Sequence, residues 1–352
     1  MTFSPPRCPN PSCEQHRAPE PRFFLRNGFY RSRGRLDPVA RFRCRTCRRG
    51  FSTQTFRHDR GDRRPECNEP LFQLLTSGVG LRQSGRLLKL AIASVVQKLR
   101  KLARTCEQLH RNFCRKLPPE RTFLLDEEET YEGASIRPLT LPVLIERETW
   151  FVVATAVGPI RRLAARGSDR RDRQHREESA HGVRQDRSRD CVSEVMRRLA
   201  ELVPTGSLRL QTDEKSSYAT LIREVFGDRA THETTAGSDP RTTRNPLFPI
   251  NTTLAMSRDN NGRLRRKSWL VTKRAPYLQR QMDLFTVYRD YVRKRFNRDA
   301  EGITPARLLA LVPRALTVAE VLRWRQDWRS RSIHPMSFGG ATTIADSLQL
   351  SA

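Results

Sequence analysis

Acidic side chains and long apolar runs are both scarce in this sequence of 352 residues. Asp and Glu number 38 against 66 Lys and Arg, which gives a formal net charge of +28. An excess of positive charge this large favours a polyanionic partner, either nucleic acid or an acidic membrane surface. No uninterrupted apolar run approaches the roughly 18 residues of a membrane span, and the opening segment MTFSPPRCPN lacks the apolar core of a signal peptide. We therefore expect a soluble, intracellular protein that binds nucleic acid.

Cysteines occur in close pairs near the start of the chain. Intracellular thiols stay reduced, so such pairs indicate a metal site rather than disulfides. One pair lies in CPNPSC and the other in CRTC, with aromatic-rich, hairpin-like sequence between them. Four thiolates suit one tetrahedral zinc, which would stabilise a segment too small to have its own core. The predicted ligands are Cys8, Cys13, Cys44 and Cys47, with His16, His58 and Cys67 as possible substitutes.

The next segment, from about 68 to 116, has helical periodicity. A short apolar helix precedes Ser77, a second helix spans about 81–88, and a longer one starts near Ala93. Two short helices joined by a tight turn, the second of them basic, predict a helix-turn-helix. The alternative is an ordinary helical hairpin with a solvated basic face. The residues expected to contact phosphates are Arg82, Arg86, Lys98, Arg100, Lys101 and Arg104.

Four consecutive acids interrupt this basic chain in FLLDEEETYEG, and a second strand-like segment, SLRLQTD, also ends on an acid. The predicted order is three strands, helix, strand, helix, strand, helix, which indicates an α/β sandwich. Asp126 lies on its first strand and Asp213 ends its fourth. If these strands are neighbours, the two carboxylates converge on a site for Mg²⁺ or Mn²⁺, and the cations neutralise the acids. The simpler alternative is a solvated acidic turn.

Strand alternation sorts the three glutamates that follow Asp126. It turns Glu128 to the same face as Asp126, and it turns Glu127 and Glu129 away. Residues 161–190 are dense in arginine and poor in large apolar side chains, so we expect a disordered insertion there.

The motifs CPNPSC, CRTCRRGFS, LDEEETYEG, QTDEKSSY and INTTLAMSRDNNGRLRRKSW resemble, in this order, those of bacterial insertion-sequence transposases of the InsA/InsB kind. The resemblance covers about residues 8–297. It implies a multidomain chain with a zinc ribbon, a helix-turn-helix and an RNase H-like α/β core of mixed sheet. The implied segments are 1–65 for the ribbon, 66–118 for the helix-turn-helix, 119–297 for the core, and 298–352 for C-terminal helices and a tail.

The resemblance also implies the roles of the acids. The family's first two catalytic acids bind the metals, and they correspond to Asp126 and Asp213. The third catalytic residue lies on a helix after the last core strand, seven residues before a basic residue, which points to Asn251 and Arg258. Asp259, Glu233 or a decayed site are the alternatives. Arg258, Arg266 and Lys267 would hold DNA phosphates near the metals.

Two functions fit these patterns. The first is a transposase that nicks DNA and transfers the freed strand, with structural zinc and catalytic Mg²⁺ or Mn²⁺. It would act on double-stranded transposon ends and target DNA as a homodimer or larger oligomer, in the bacterial cytoplasm at the nucleoid. The second is a catalytically inactive DNA-binding regulator derived from such an enzyme.

Overall fold

The computed structural model of the chain describes residues 4–31, 38–56, 59, 61–240, 242–265 and 269–324. It divides these into two compact units. The smaller contains the described residues up to Glu66 together with residues 322–324, and the larger contains Cys67–Val321. The predicted tail beyond residue 324 and the predicted DNA contacts Arg266 and Lys267 lie outside the described residues.

The smaller unit is a three-stranded antiparallel sheet beside a short helix. Its elements are helix α1 (Glu14–Arg17) and strands β1 (Phe24–Tyr30), β2 (Val39–Cys44) and β3 (Gly50–Ser52), in sheet order β1-β2-β3. Phe23, Phe42 and Phe51 pack beside the cysteines in its small core. With so few apolar residues in the core, the unit needs a further source of stability.

Three helices begin the larger unit. They are α2 (Asn68–Thr76), α3 (Leu81–Leu87) and α4 (Ile92–Phe113). The apolar stripe predicted for the long helix is buried, with Val95, Leu99 and Leu109 fully enclosed. These helices, for which the sequence predicts a domain at 66–118, lie in the same compact unit as the sheet. Helix α4 packs against a helix of the following segment.

A six-stranded mixed sheet forms the centre of the larger unit. Its strands are β4 (Thr122–Tyr131), β5 (Pro138–Glu146), β6 (Val152–Thr155), β7 (Gly158–Pro159), β8 (Leu208–Asp213) and β9 (Ala230–Thr235). The order is β6-β5-β4-β8-β9, and β7 pairs with β5. Strands β4, β5 and β6 are antiparallel neighbours, whereas β8 and β9 run parallel to β4. A parallel neighbour requires a crossover connection of a dozen or more residues, and the connection from β7 to β8 contains two helices.

Helices cover the sheet. They are α6 (Ser188–Leu202), α7 (Ser216–Phe226), α8 (Phe248–Asn260) and α9 (Ala275–Val287), which continues as a π-helical turn over Tyr288–Val292. Leu124 of β4 and alternate residues of β5 pack against α8 and α9 in one core cluster. Helix α7 contacts the opposite face through side chains that meet Glu127. Two short helices follow, α10 (Pro305–Leu308) and α11 (Val318–Arg323).

The insertion predicted to be disordered is instead partly helical. Helix α5 (Asp169–His181) occupies its middle, and the Ser168 hydroxyl accepts the Arg171 backbone N–H at 3.3 Å to cap it. Ion pairs attach this helix, because Arg161 donates twice to Glu178, at 2.9 and 3.1 Å, and Arg137 pairs with Glu177. The composition correctly excluded an apolar core for this segment, but ion pairs hold it in place.

None of the described helices is both long enough and apolar enough to cross a lipid bilayer.

Candidate metal centre and acidic site

The four predicted cysteines meet in the smaller unit. Their sulfurs lie within 4.8 Å of one another, and three of the four residues are buried. Sγ of Cys8 lies 3.5 Å from Sγ of Cys47, and Sγ of Cys13 lies 3.9 Å from Sγ of Cys44. Four sulfurs about 2.3 Å from a tetrahedral zinc lie about 3.8 Å apart. The group therefore has the donor type, number and spacing to hold one zinc ion.

Backbone hydrogen bonds shape the two turns that present these sulfurs. The Cys13 N–H donates to the Asn10 carbonyl at 3.0 Å, and the Arg48 N–H donates to the Cys44 carbonyl at 3.1 Å. Arg48 adopts φ +62°, which closes the turn after the second pair. His16 lies nearby with Nδ1 2.7 Å from the Cys8 carbonyl oxygen. It is not part of the metal-ligating group, and neither is Cys67, whereas His58 lies outside the described residues.

Burial affects the thiols unequally. It raises the pKa of Cys8 and of Cys13, whose neighbours include other cysteines of the group. Burial also raises the pKa of Cys47, but hydrogen bonds from the Arg49 backbone and from Cys8 outweigh it and bring that pKa down to about 7. A thiol must lose its proton to bind zinc. Filling the site therefore releases protons from this group.

The two predicted catalytic acids lie on neighbouring parallel strands. In the pairing of β4 with β8, Leu124 aligns with Gln211. The paired residues end there, two residues before Asp126 and Asp213, and alternation along each strand puts both aspartates on the face that Leu124 shares with Gln211. Asp126 accepts the Glu127 backbone N–H at 2.7 Å, and Asp213 accepts the Lys215 backbone N–H at 3.1 Å. The two aspartates thus follow closely on paired positions of neighbouring strands.

A buried phenol lies beside the same acids. Burial, and then the negative charges of Glu127, Asp126 and Asp213, raise the pKa of Tyr218. Its hydroxyl donates to Oε1 of Glu127 at 2.9 Å, and Lys215 Nζ donates to that same oxygen. Thr140 donates to the other oxygen at 2.6 Å. Tyr218 therefore lies within the electrostatic influence of three carboxylates.

The three glutamates after Asp126 are each neutralised by a side chain of the protein. Glu128 faces α8 and accepts hydrogen bonds from Ser257 Oγ at 2.8 Å and from Arg258 Nε at 2.6 Å. Glu129 pairs with an arginine of the segment before α5. The sequence prediction assigned the neutralisation of this acid run to divalent cations. In the structure, Lys215 and two arginines do this for the glutamates.

The predicted third ligand can be placed along the sheet from its neighbours. The Phe248 ring, at the start of α8, packs edge-to-face on Trp150. The Trp150 backbone N–H donates to the Glu146 carbonyl, and Glu146 pairs with Phe123 at the start of β4. The start of α8 therefore lies near the start of β4. The other end of α8 meets Glu128. Helix α8 therefore runs in the same direction as β4. Asn251 is seven residues before Arg258, so it lies about 10 Å back along the axis of α8. Along a strand, the same distance corresponds to about three residues. It lies near the level of Asp126 and is partly buried.

The alternative third ligands occupy other positions. Asp259 is exposed on the side of α8 that turns away from the sheet. Glu233 of β9 accepts Gln211 Nε2 at 2.6 Å and aligns with Gln211, two residues before Asp213. Neither residue lies at the level of the two aspartates.

The predicted DNA contacts fall into three groups. Arg82, Arg86 and Arg104 are exposed, and the first two line a cavity of about 450 Å³ between α3 and α4. Lys98 was expected on the solvated side of the long helix, but it is buried and its Nζ donates to Asn68 at 2.8 Å. Helical spacing missed this partner because Asn68 lies on α2. The other three predicted contacts are partly occupied within the protein. Arg100 Nε donates to the Tyr277 hydroxyl at 3.1 Å, and Arg258 binds Glu128. Lys101 is partly buried.

Sequence reasoning missed Lys215 and Tyr218 as members of the acidic site. Both belong to QTDEKSSY, two and five residues after Asp213. One turn of the helix that follows the strand end carries them back toward the acids. Their spacing from Asp213 was the available signal.

No model of a known protein family matches the chain, and no curated protein sequence matches it. The candidate sites therefore rest on the chain's own residues and geometry.

Proposed function

We propose that the chain is a DNA transposase that cuts and joins strands at a metal site built on Asp126 and Asp213. The observation that carries this proposal is the parallel pairing of β4 with β8, because its register, continued by two residues, would set the two carboxylates on one face. The position of Asn251 at the same level, on a helix that follows the last strand, supports an RNase H-like core. The basic excess supplies the attraction for DNA.

The donor set fits a hard cation. Two carboxylates with one amide oxygen are oxygen ligands of the kind that Mg²⁺ and Mn²⁺ bind. When bound, such ions activate water for attack on a phosphodiester and stabilise the leaving oxygen. Asp126 and Asp213 would hold the cations, and Asn251 would add a neutral ligand. Glu127 is bound by Lys215 and Tyr218 instead.

The helices at the start of the larger unit support DNA binding. Helices α2 and α3 are joined by a short turn, and Arg82 and Arg86 of α3 are exposed. In a helix-turn-helix these side chains would contact phosphates and fix the register on the duplex. A homodimeric or larger assembly on DNA stays a prediction.

The test is Mg²⁺-dependent nicking of duplex DNA taken from beside the gene. Asp126→Ala and Asp213→Ala should each abolish nicking and leave duplex binding equal to wild type or slightly tighter, because a negative charge near phosphate is lost. Asn251→Ala should lower the rate, and Asn251→Glu should keep or raise it. Asp259→Asn removes an exposed acid from the far side of α8 and should change nothing. Nicking that survives both aspartate changes would refute the proposal.

A catalytically inactive DNA-binding regulator is the second candidate. The uncharged Asn251 favours it, because one ligand of the expected set has no negative charge. The same assay separates the two functions. Tight, salt-dependent duplex binding by the wild-type protein without Mg²⁺- or Mn²⁺-dependent nicking would support the regulator.

A further inference from the structure

A segment just before α9 presents a tryptophan to solvent. The Trp269 side chain is 93% exposed, although tryptophan is on average a largely buried residue. The residues that follow it are fixed. Val271 and Thr272 are buried, and the Thr272 backbone N–H donates to the Arg263 carbonyl at 3.3 Å. Residues 269–274, here called the arm, therefore hold an exposed indole next to an anchored backbone.

The arm contacts the turn between α2 and α3. A side chain at Gly80, the residue before α3, would collide with Leu270 of the arm. A Cβ atom at Gly78 would lie 2.6 Å from the Asp259 carbonyl oxygen, and the Gly78 N–H donates to the Asn260 carbonyl at 3.0 Å. Glycine at both positions thus lets the turn approach the end of α8 and the arm closely. In a helix-turn-helix the start of the second helix meets the DNA, so the arm lies beside the predicted DNA-binding helix.

The arm also contacts the strand that carries Asp126. The Gly133 backbone N–H, two residues beyond the end of β4, donates to the Thr272 carbonyl at 2.8 Å. Asp126 lies on the same strand, five residues before its end. The arm therefore bridges the α2–α3 turn and the strand of the proposed metal site. DNA that is held by α3 and cut at Asp126 would pass the arm.

The charge around the arm favours a polyanion. Residues 259–274 contain six lysines and arginines and one acid. Lys273 and Arg274 of the arm are exposed, and so are Arg82 and Arg86 of α3. Within the described part of the chain, none of these four side chains forms a hydrogen bond or an ion pair. They are available to bind phosphates.

The exposed indole indicates which part of the nucleic acid lies at the arm. A flat aromatic ring stacks on the face of a base. In a duplex those faces are covered by neighbouring bases, and a base exposes one only after it leaves the stack. An indole held between α3 and the strand of Asp126 therefore fits an unstacked base rather than a base pair.

We propose that the arm binds DNA at a base that has left the duplex stack, with Trp269 stacked on that base and Lys273 and Arg274 on the flanking phosphates. The inference rests on the proposed function for the path of the DNA, which runs from α3 to the site at Asp126. A second copy of this chain is another partner for an exposed indole, and the experiment separates it from DNA.

The experiment uses the full-length, zinc-loaded protein without Mg²⁺ or Mn²⁺, so that binding is measured apart from cutting. Two labelled duplexes of equal length are compared by fluorescence anisotropy, one fully paired and one with a single unpaired adenine. The wild-type protein should bind the second duplex about 5-fold or more tightly than the first, because the unpaired base stacks on the indole. Trp269→Ala should remove this preference and leave binding to the paired duplex unchanged.

Three further variants make the result specific. Trp269→Phe retains a ring and should keep most of the preference. Lys273→Gln with Arg274→Gln should weaken binding to both duplexes and lower the salt slope by about 1.8, because each cation lost removes about 0.9. Val183→Ala removes a side chain that is 68% exposed between α5 and α6, and it should have no effect. Thermal unfolding of each variant reports whether the larger unit is intact.

Two results would overturn the inference. One is a Trp269→Ala protein that unfolds as wild type does and keeps the preference. If that protein has also lost oligomers, measured by light scattering without DNA, the indole contacts a second copy of the chain instead. The other is a wild-type protein that binds both duplexes equally. Because nicking is measured separately with Mg²⁺, loss of the transposase proposal and loss of this inference are distinguishable.

Discussion

At the scale of the residue, Glu128 and Glu129 are adjacent and identical, but they differ in burial and in hydrogen-bond partners. Glu128 is fully buried, and it accepts hydrogen bonds from both Ser257 and Arg258. Glu129 is partly exposed and pairs with an arginine on the surface. Strand alternation predicted that they face opposite ways. It did not predict the partners of Glu128, which lie about 130 residues further along the chain.

Glu128→Gln should therefore destabilise the larger unit more than Glu129→Gln. The first change weakens a buried network and leaves Arg258 without its carboxylate, so we expect a cost of about 1–3 kcal/mol. The second removes a screened surface pair, so we expect less than about 1 kcal/mol. Urea unfolding of both variants measures the difference. Equal costs would show that the Arg258 pair contributes nothing to stability.

Asp283 is a second residue whose surroundings change its chemistry. It lies on α9 at the wall of a cavity of about 740 Å³, together with Cys106 and Glu107. Burial, and then the charge of Glu107, raise the pKa of Asp283 to about 7, against the opposing effects of Gln279, Arg111 and Arg280. The folded protein therefore holds a proton there at a pH where the unfolded chain has released it.

The sign of the pH dependence follows from this proton. A pKa raised by folding adds stability below the unfolded value of 3.8, and that stability is lost as the pH rises toward about 7. Asp283→Asn removes the titration. It should stabilise the protein at pH 8 by about 1–4 kcal/mol. The gain is smaller if water in the cavity solvates the ionised carboxylate of Asp283. At pH 4 it should have little effect. Urea unfolding at both pH values tests this, and an equal gain at both would contradict it.

At the scale of the element, apolar periodicity predicted a helix correctly where burial of an apolar stripe stabilises that helix. Helix α4 has such a stripe, and its predicted start near Ala93 is one residue from the observed start at Ile92. Helix α5 has none, since Gln174 is its only buried residue. Composition does not reveal which charges find ion-pair partners, which is why that segment was predicted to be disordered.

Helix α5 should consequently be sensitive to salt. Its attachment depends on partly exposed pairs such as Arg161 with Glu178, and salt screens these. Trypsin cleavage between residues 169 and 181 should accelerate in 1 M NaCl. Cleavage at Arg197 on α6, whose apolar side is buried, provides the internal control. Mass spectrometry of the fragments measures both rates. Unchanged cleavage of α5 would show that other contacts hold it.

At the scale of the whole molecule, the two units differ in what stabilises them. The larger has an extended apolar core between its sheet and α8 and α9. The smaller has a few aromatic rings around four cysteines. The sequence predicted this contrast from cysteine spacing and from strand and helix periodicity. It did not predict that α2, α3 and α4 belong to the sheet unit, because that depends on packing between segments far apart in the chain.

Removal of zinc should therefore unfold the smaller unit and spare the larger one. In small metal-bound domains the binding energy of the metal is also folding energy. A chelator should increase hydrogen exchange throughout residues 4–56 and leave β4 and β8 protected.

Zinc content should be one ion per chain, and it should fall as the pH is lowered. Protons compete with zinc for the thiols, and burial raises the pKa values of Cys8 and Cys13. Cys44→Ser should lose the metal. Cys191→Ser, a buried cysteine of the larger unit, should keep it. Hydrogen exchange that rises equally in both units after chelation would contradict this division, because it would tie the stability of the sheet to the cysteine cluster.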